Sequence, residues 1–105
     1  MERLEHALKY VRYAKPHRGF VYVVKCHEFV KIGIAADVTA RVINLQTGNP
    51  YDVELIAKAS SENPELAEES LHEQLDRFRI RGEWFKIPPK ELADLVASIN
   101  SWNRP

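Results

Sequence analysis

An α+β domain built on a small, mainly antiparallel sheet flanked by helices is the fold class the sequence predicts. Three observations predict it. Two runs rich in β-branched and aromatic residues, GFVYVV and FVKIGI, are separated only by KCHE and read as a hairpin. Segments with apolar residues at helical spacing alternate with extended runs, in the order helix, hairpin, helix, strand, helix, short strand, helix. The chain has 105 residues, 45% of them hydrophobic, which suits one modest core and a single domain over 1–105.

Residues 2–14 place Leu4, Leu8 and Val11 at helical spacing, with Pro16 as a stop, and predict a peripheral amphipathic helix. After the hairpin, Asp37 can cap a helix through about Gln46, with Val38, Val42 and Leu45 as its apolar stripe and Gly48 as its stop. Asn49-Pro50 breaks the chain, and VELIAKAS reads as a third strand. Asn63-Pro64-Glu65 is a helix start: a cap residue, proline at the first position and an acid in the first turn. That helix carries Ala67, Leu71, Leu75 and Phe78 on one side. RFRIRG reads as a basic loop ended by Gly82, and EWFKI as a short extended segment. Pro88-Pro89 opens a last helix over 89–100, with Leu92, Leu95, Val96 and Ile99 facing in.

Composition narrows the function classes. No apolar run is long enough to span a bilayer, and the charged first residues predict no signal peptide. A single cysteine, Cys26, cannot form an internal disulfide, which points to a reducing, cytoplasmic setting. Cys26 and His27 lack the second pair of ligands that a zinc site needs. Net charge is zero, which argues against a uniformly basic nucleic-acid binder. The charge is uneven, however. Residues 1–50 hold eight Lys/Arg against four Asp/Glu, and residues 51–105 hold seven against eleven, so one basic face on a neutral molecule is open. Ordinary scatter of surface charge fits the same counts.

The hairpin carries the first candidate site. Side chains alternate across a strand, so Val30, Ile32 and Ile34 belong to the core, while Lys31 and Gly33 point the other way. Tyr22 shares a face with Phe20 and Val24. A two-residue turn at Cys26-His27 would pair Lys25 with Glu28 and Tyr22 with Lys31. An ammonium beside a phenol favours its ionised form, which suits a tyrosine to act as a general base. The plain alternative is a half-buried strand tyrosine beside a solvated lysine.

These segments resemble the GIY-YIG endonuclease superfamily, in particular a small phage and bacterial branch related to the meiotically up-regulated type. Phe20-Val21-Tyr22 is similar to the first signature triplet and Lys31-Ile32-Gly33 to the second. Arg41 lies eight residues past Gly33, Glu68-Glu69-Ser70-Leu71-His72 resembles an acid-x-x-Leu-His helix, and Gly82-Glu83-Trp84-Phe85 resembles the closing motif. The elements fall within residues 19–87, leaving the two end helices as additions. The resemblance implies a three-stranded antiparallel sheet with helices around it and a divalent metal, Mg²⁺ or Mn²⁺. It also implies Tyr22 as general base, Arg41 on the scissile phosphate and Glu68 as metal ligand. The second triplet has Lys31 where the family has tyrosine, a departure that leaves Lys31 to polarise Tyr22 or to contact phosphate.

Residue chemistry supplies the remaining candidates. Arg41 borders the apolar stripe of its helix, and its paired donors match phosphate oxygens. Glu68 edges its own stripe and His72 follows four residues later on the same face, where it could bind substrate, orient Glu68 or simply pack. Asn44 lies one turn past Arg41. Arg77, Arg79 and Arg81 could track a phosphate backbone or form a solvated loop. Trp84 and Phe85 are read as core closure, and Gly33 as a residue that keeps the catalytic face clear. The expected function is metal-dependent hydrolysis of nucleic-acid phosphodiesters, DNA foremost. The alternatives are a catalytically inactive nucleic-acid-binding or protein-interaction module. A domain this small offers little surface for specificity, so a homodimer or a partner protein would extend it.

Overall fold

The computed structural model describes residues 19–103. Its sheet grows from the hairpin of β1 (Gly19–Cys26) and β2 (Phe29–Ala35). The turn is His27-Glu28, so Cys26 pairs with Phe29, Val24 with Lys31, Val23 with Ile32 and Tyr22 with Gly33. The expected pairing of Tyr22 with Lys31 is therefore corrected. Moving the turn by one residue shifts every pair by two, which keeps each side chain on its face. Tyr22 and Lys31 still share a face, but as diagonal neighbours. Burial explains the shift. Cys26 is buried in the strand, whereas a turn at Cys26-His27 would hold it at the exposed tip. His27 then takes the left-handed backbone, φ 60°, which histidine tolerates better than most residues.

β3 (Val53–Ser61) pairs antiparallel with the other side of β1, with an irregularity between Val23 and Val24. Two short strands, β4 (Arg79–Arg81) and β5 (Trp84–Phe85), extend the sheet beyond β2. The result is a five-stranded antiparallel sheet in the order β3-β1-β2-β5-β4, which corrects the expected three-stranded sheet. RFRIRG gave no strand signal because all three residues of β4 are exposed and no alternation marks a buried face. Backbone pairing with β5, through a turn where Gly82 takes φ 56°, is what makes it a strand.

The helices follow their caps. α1 (Val38–Gln46) starts where the Asp37 carboxylate accepts the Ala40 N–H at 3.0 Å, and the chain turns away at Gly48 with φ 78°. α2 (Pro64–Gln74) starts where the Asn63 side chain accepts the Leu66 N–H at 3.3 Å. Phe78 was expected on this helix but lies in a separate 3-10 turn, Asp76–Phe78. α3 (Pro89–Ser101) matches the last expected helix. The helix expected over 2–14 lies outside the described residues. No helix among the described residues is long and apolar enough to cross a membrane.

Both faces of the sheet are covered. Val21, Val23, Val30 and Ile32 join Leu71 of α2, Phe85, Ile87 and Leu95 and Ile99 of α3 in the larger core. On the other face Tyr22, Val24, Ala35 and Val38 form a smaller core, with Val42 and Leu45 of α1 packed against it. The stripe read on α1 therefore finds its partner in the tyrosine face of β1.

Candidate functional site

The outer edge of β2 organises the site. β5 pairs only with Val30 and Lys31, and the Glu83 carbonyl accepts the Ile32 N–H at 3.2 Å. Past that point two helices serve the edge with side chains. α2 begins beside the open end of the hairpin, where a Cβ on Gly19 would meet Pro64 Cγ at 3.2 Å. Further along α2, His72 Nε2 lies 2.9 Å from the Ile32 carbonyl oxygen. A carbonyl can only accept, so this nitrogen carries the hydrogen. From α1, Arg41 Nη1 donates to the Ile34 carbonyl at 3.3 Å. A strand edge with unpaired carbonyls invites unwanted pairing, and here one histidine and one arginine occupy it. His72 also stands 5.2 Å from the Phe85 ring, so its position is a packing and edge-sealing one.

Tyr22 lies fully buried, 0% exposed, beneath α1. Its ring crosses β2 at Gly33: a Cβ there would sit 2.6 Å from the hydroxyl and 2.8 Å from Cζ. Gly33 thus makes room for the phenol itself, which refines the expectation that it keeps the site clear. The phenol oxygen is buried and has no hydrogen-bond partner among the described residues. A buried polar group left unpaired costs about 1–3 kcal/mol, so this one calls for a reason. The expectation of a clear catalytic face around Tyr22 is corrected. The apolar stripe of α1 covers the tyrosine face, and only the hydroxyl end reaches toward the strand edge.

Lys31 does not serve the phenol. Its Nζ pairs with Glu83 Oε1 at 2.6 Å, with the lysine side chain 14% exposed, and stands 5.8 Å from the centre of the Trp84 ring. Glu68 of α2 lies within the field of this pair. Partial burial, then the Glu83 charge, push its carboxyl from the ordinary 4.5 up to about 7, with Lys31 opposing and Glu65 adding. Its Oε2 is buried without a hydrogen-bond partner among the described residues. An α2 acid, a β2 lysine and a β4–β5 turn acid thus converge at one edge. The sequence reading missed Glu83 as a site residue. Its signal was the Gly82-Glu83-Trp84-Phe85 segment, read as a closing motif in which only Trp84 and Phe85 were given roles.

The other candidates divide. Arg41 is exposed, and one of its nitrogens is committed to Ile34. Asn44 is exposed on α1. Arg79 is structural: it donates to Asp76 at 2.9 Å and to the Gly82 carbonyl, and lies 5.0 Å from the Phe85 ring. Arg77 is exposed with its guanidinium 4.5 Å from the Phe78 ring, and Arg81 is exposed on β4. Phe85 is core, as expected, and Trp84 is half-buried across from Lys31. Among the described residues no three His, Cys, Asp or Glu side chains group to hold a metal ion. Glu68, with an unpartnered, buried oxygen and a carboxylate that a nearby positive charge would favour, could give a hard cation a single protein ligand, water and phosphate oxygens completing the shell.

A family model, the T5orf172 domain, matches residues 19–100, from the first residue of β1 into the last turn of α3. The chain belongs to the T5orf172 domain family. No curated protein and no solved structure matches it. The family found is a different one from the GIY-YIG superfamily, and the resemblance read from the triplets is corrected accordingly. Triplets of strand residues carry little information alone, and the register here separates Tyr22 from Lys31. The matched span of the T5orf172 domain holds every site residue named above.

Proposed function

We propose that this T5orf172 domain is a metal-dependent endonuclease that hydrolyses nucleic-acid phosphodiester bonds, with DNA as substrate. The family is associated with nuclease-like proteins, which supports the general class. The observation that carries the reading is Glu68: a carboxyl raised to about 7, with one buried oxygen unpartnered, on a strand edge shared with Arg41 and the Tyr22 hydroxyl. The guanidinium of Arg41 keeps further donors beyond the one given to Ile34, and these match phosphate oxygens in pairs. Lys31 adds positive charge at the same edge and holds Glu83 in place. Mg²⁺ or Mn²⁺ held by Glu68 would supply Lewis-acid polarisation of the phosphoryl group. The Tyr22 hydroxyl is packed against Gly33 at this edge with no partner of its own, and it would orient a water admitted to the site by accepting a hydrogen bond from it.

A specific observation favours a second reading. Tyr22 is sealed and the Lys31 ammonium is taken by Glu83, as in a module that binds nucleic acid without cutting it. Incubation of supercoiled plasmid with Mg²⁺ or Mn²⁺ separates the two. Nicking that disappears in Glu68→Gln and Arg41→Ala proteins supports the nuclease. Salt-sensitive DNA binding without nicking selects the binding module, and no DNA affinity at low salt selects a protein-interaction domain.

A further inference from the structure

We infer that the trough between the β4–β5 hairpin and the hairpin turn receives an unpaired nucleobase, so that the strand reaching the Glu68 edge is single. This deepens the proposed function and rests on it. The trough is a cavity of about 300 Å³ lined by Cys26, Phe29, Asn49, Ile80, Arg81 and Trp84. Its size falls at the lower end of small-ligand pockets, which run from about 300 to 1,000 Å³. Almost all of its surface is apolar, with two aromatic rings in the lining, and every nucleobase has a face that stacks on such rings. Ile80 adds an apolar wall that is 58% exposed, an unusual cost for a three-residue strand with no buried side chain.

Two polar groups frame the opening. Arg81 brings a cation to the rim, complementary to the phosphate that any base carries with it. Asn49 gives one amide hydrogen to Cys26 Sγ at 3.4 Å while its carbonyl oxygen accepts the Tyr51 N–H at 3.0 Å. Its second amide hydrogen is available to a base edge. The trough also adjoins the proposed centre. Trp84 pairs directly across from Lys31, whose ammonium binds Glu83, and Glu83 raises Glu68. A base stacked on Trp84 would therefore set its own backbone beside the Glu68 edge. A base inside a duplex is already stacked and paired and cannot enter without being unstacked.

The test is binding in EDTA, so that no cleavage intervenes, using fluorescein-labelled oligothymidylate, an abasic strand of equal length and a duplex. The expected result is that oligothymidylate binds about 5- to 150-fold more tightly than the abasic strand, the range for one stacked base. Trp84→Ala and Ile80→Ser should erase that ratio while leaving abasic binding unchanged, and Trp84→Phe should restore it. Ile80 is exposed, so its variant tests the trough even where Trp84→Ala fails to fold. Equal affinity for the oligothymidylate and abasic strands, or a duplex bound as tightly as the single strand with no effect of Ile80→Ser, overturns the inference and leaves nucleic-acid binding standing. No affinity for any of the three probes overturns the inference and the proposed function together.

Discussion

Replacing Glu68 by glutamine should stabilise the domain at high pH and leave its stability unchanged at low pH. The folded chain holds the Glu68 proton more tightly than the unfolded chain does, because burial and Glu83 raise the carboxyl from 4.5 to about 7. For a raised carboxyl the native state is favoured while protonated, and stability falls as pH rises between these two values. A full shift of this size corresponds to about 3 kcal/mol. Glu68 is only partly buried, and solvent screening reduces the effect to about 1 kcal/mol. Glutamine keeps the shape and removes the charge. Urea denaturation at pH 8 should therefore show Glu68→Gln more stable by about 1 kcal/mol, with the difference vanishing near pH 4. Divalent cation added at pH 8 should narrow the gap, because only the carboxylate gains a ligand bond. A glutamine variant less stable than the parent at pH 8, or an advantage that grows on acidification, would refute the electrostatic account.

Further outcomes follow from the same contacts. Gly33→Ala should cost about 1–3 kcal/mol in thermal unfolding, since its Cβ would sit 2.6 Å from the Tyr22 hydroxyl. Tyr22→Phe alone should be neutral or slightly stabilising, because the lost hydroxyl has no partner, and it should rescue Gly33→Ala only in part, with Cζ still 2.8 Å away. Lys31→Met should raise the Glu68 carboxyl further and Glu83→Gln should lower it, both read by carboxyl-carbon NMR titration. Arg79→Ala should destabilise by about 1 kcal/mol through loss of its bonds to Asp76 and Gly82, with nucleic-acid affinity unchanged. Lost affinity at unchanged stability would return Arg79 to the binding surface.

Local chemistry made much of the fold legible. Asp37 and Asn63 cap helices because their short oxygens reach backbone N–H groups two or three residues on, a property visible in any sequence. Strand β4 was not legible because pairing, not burial, defines it. The hairpin register turned on Cys26, whose burial in the strand moves the turn to His27-Glu28, where histidine takes the left-handed position. The depth of Tyr22 was half legible. Val38, Val42 and Leu45 required an apolar partner, and the Phe20-Tyr22-Val24 face could supply it, but which helix covers which face is a tertiary outcome. Glu68 was found from position alone, whereas its raised carboxyl depends on burial and on Glu83, 15 residues away in the chain and close only in the fold.

The claim that the outer edge of β2 is a cation-dependent phosphodiester site is tested most directly by titrating ¹⁵N-labelled protein with Mn²⁺ and reading paramagnetic broadening of the amides. Broadening centred on Glu68 and the facing β2 residues Gly33 and Ile34, absent from the Glu68→Gln protein, is the expected result. Broadening that ignores this edge, or that survives the glutamine substitution unchanged, would contradict it.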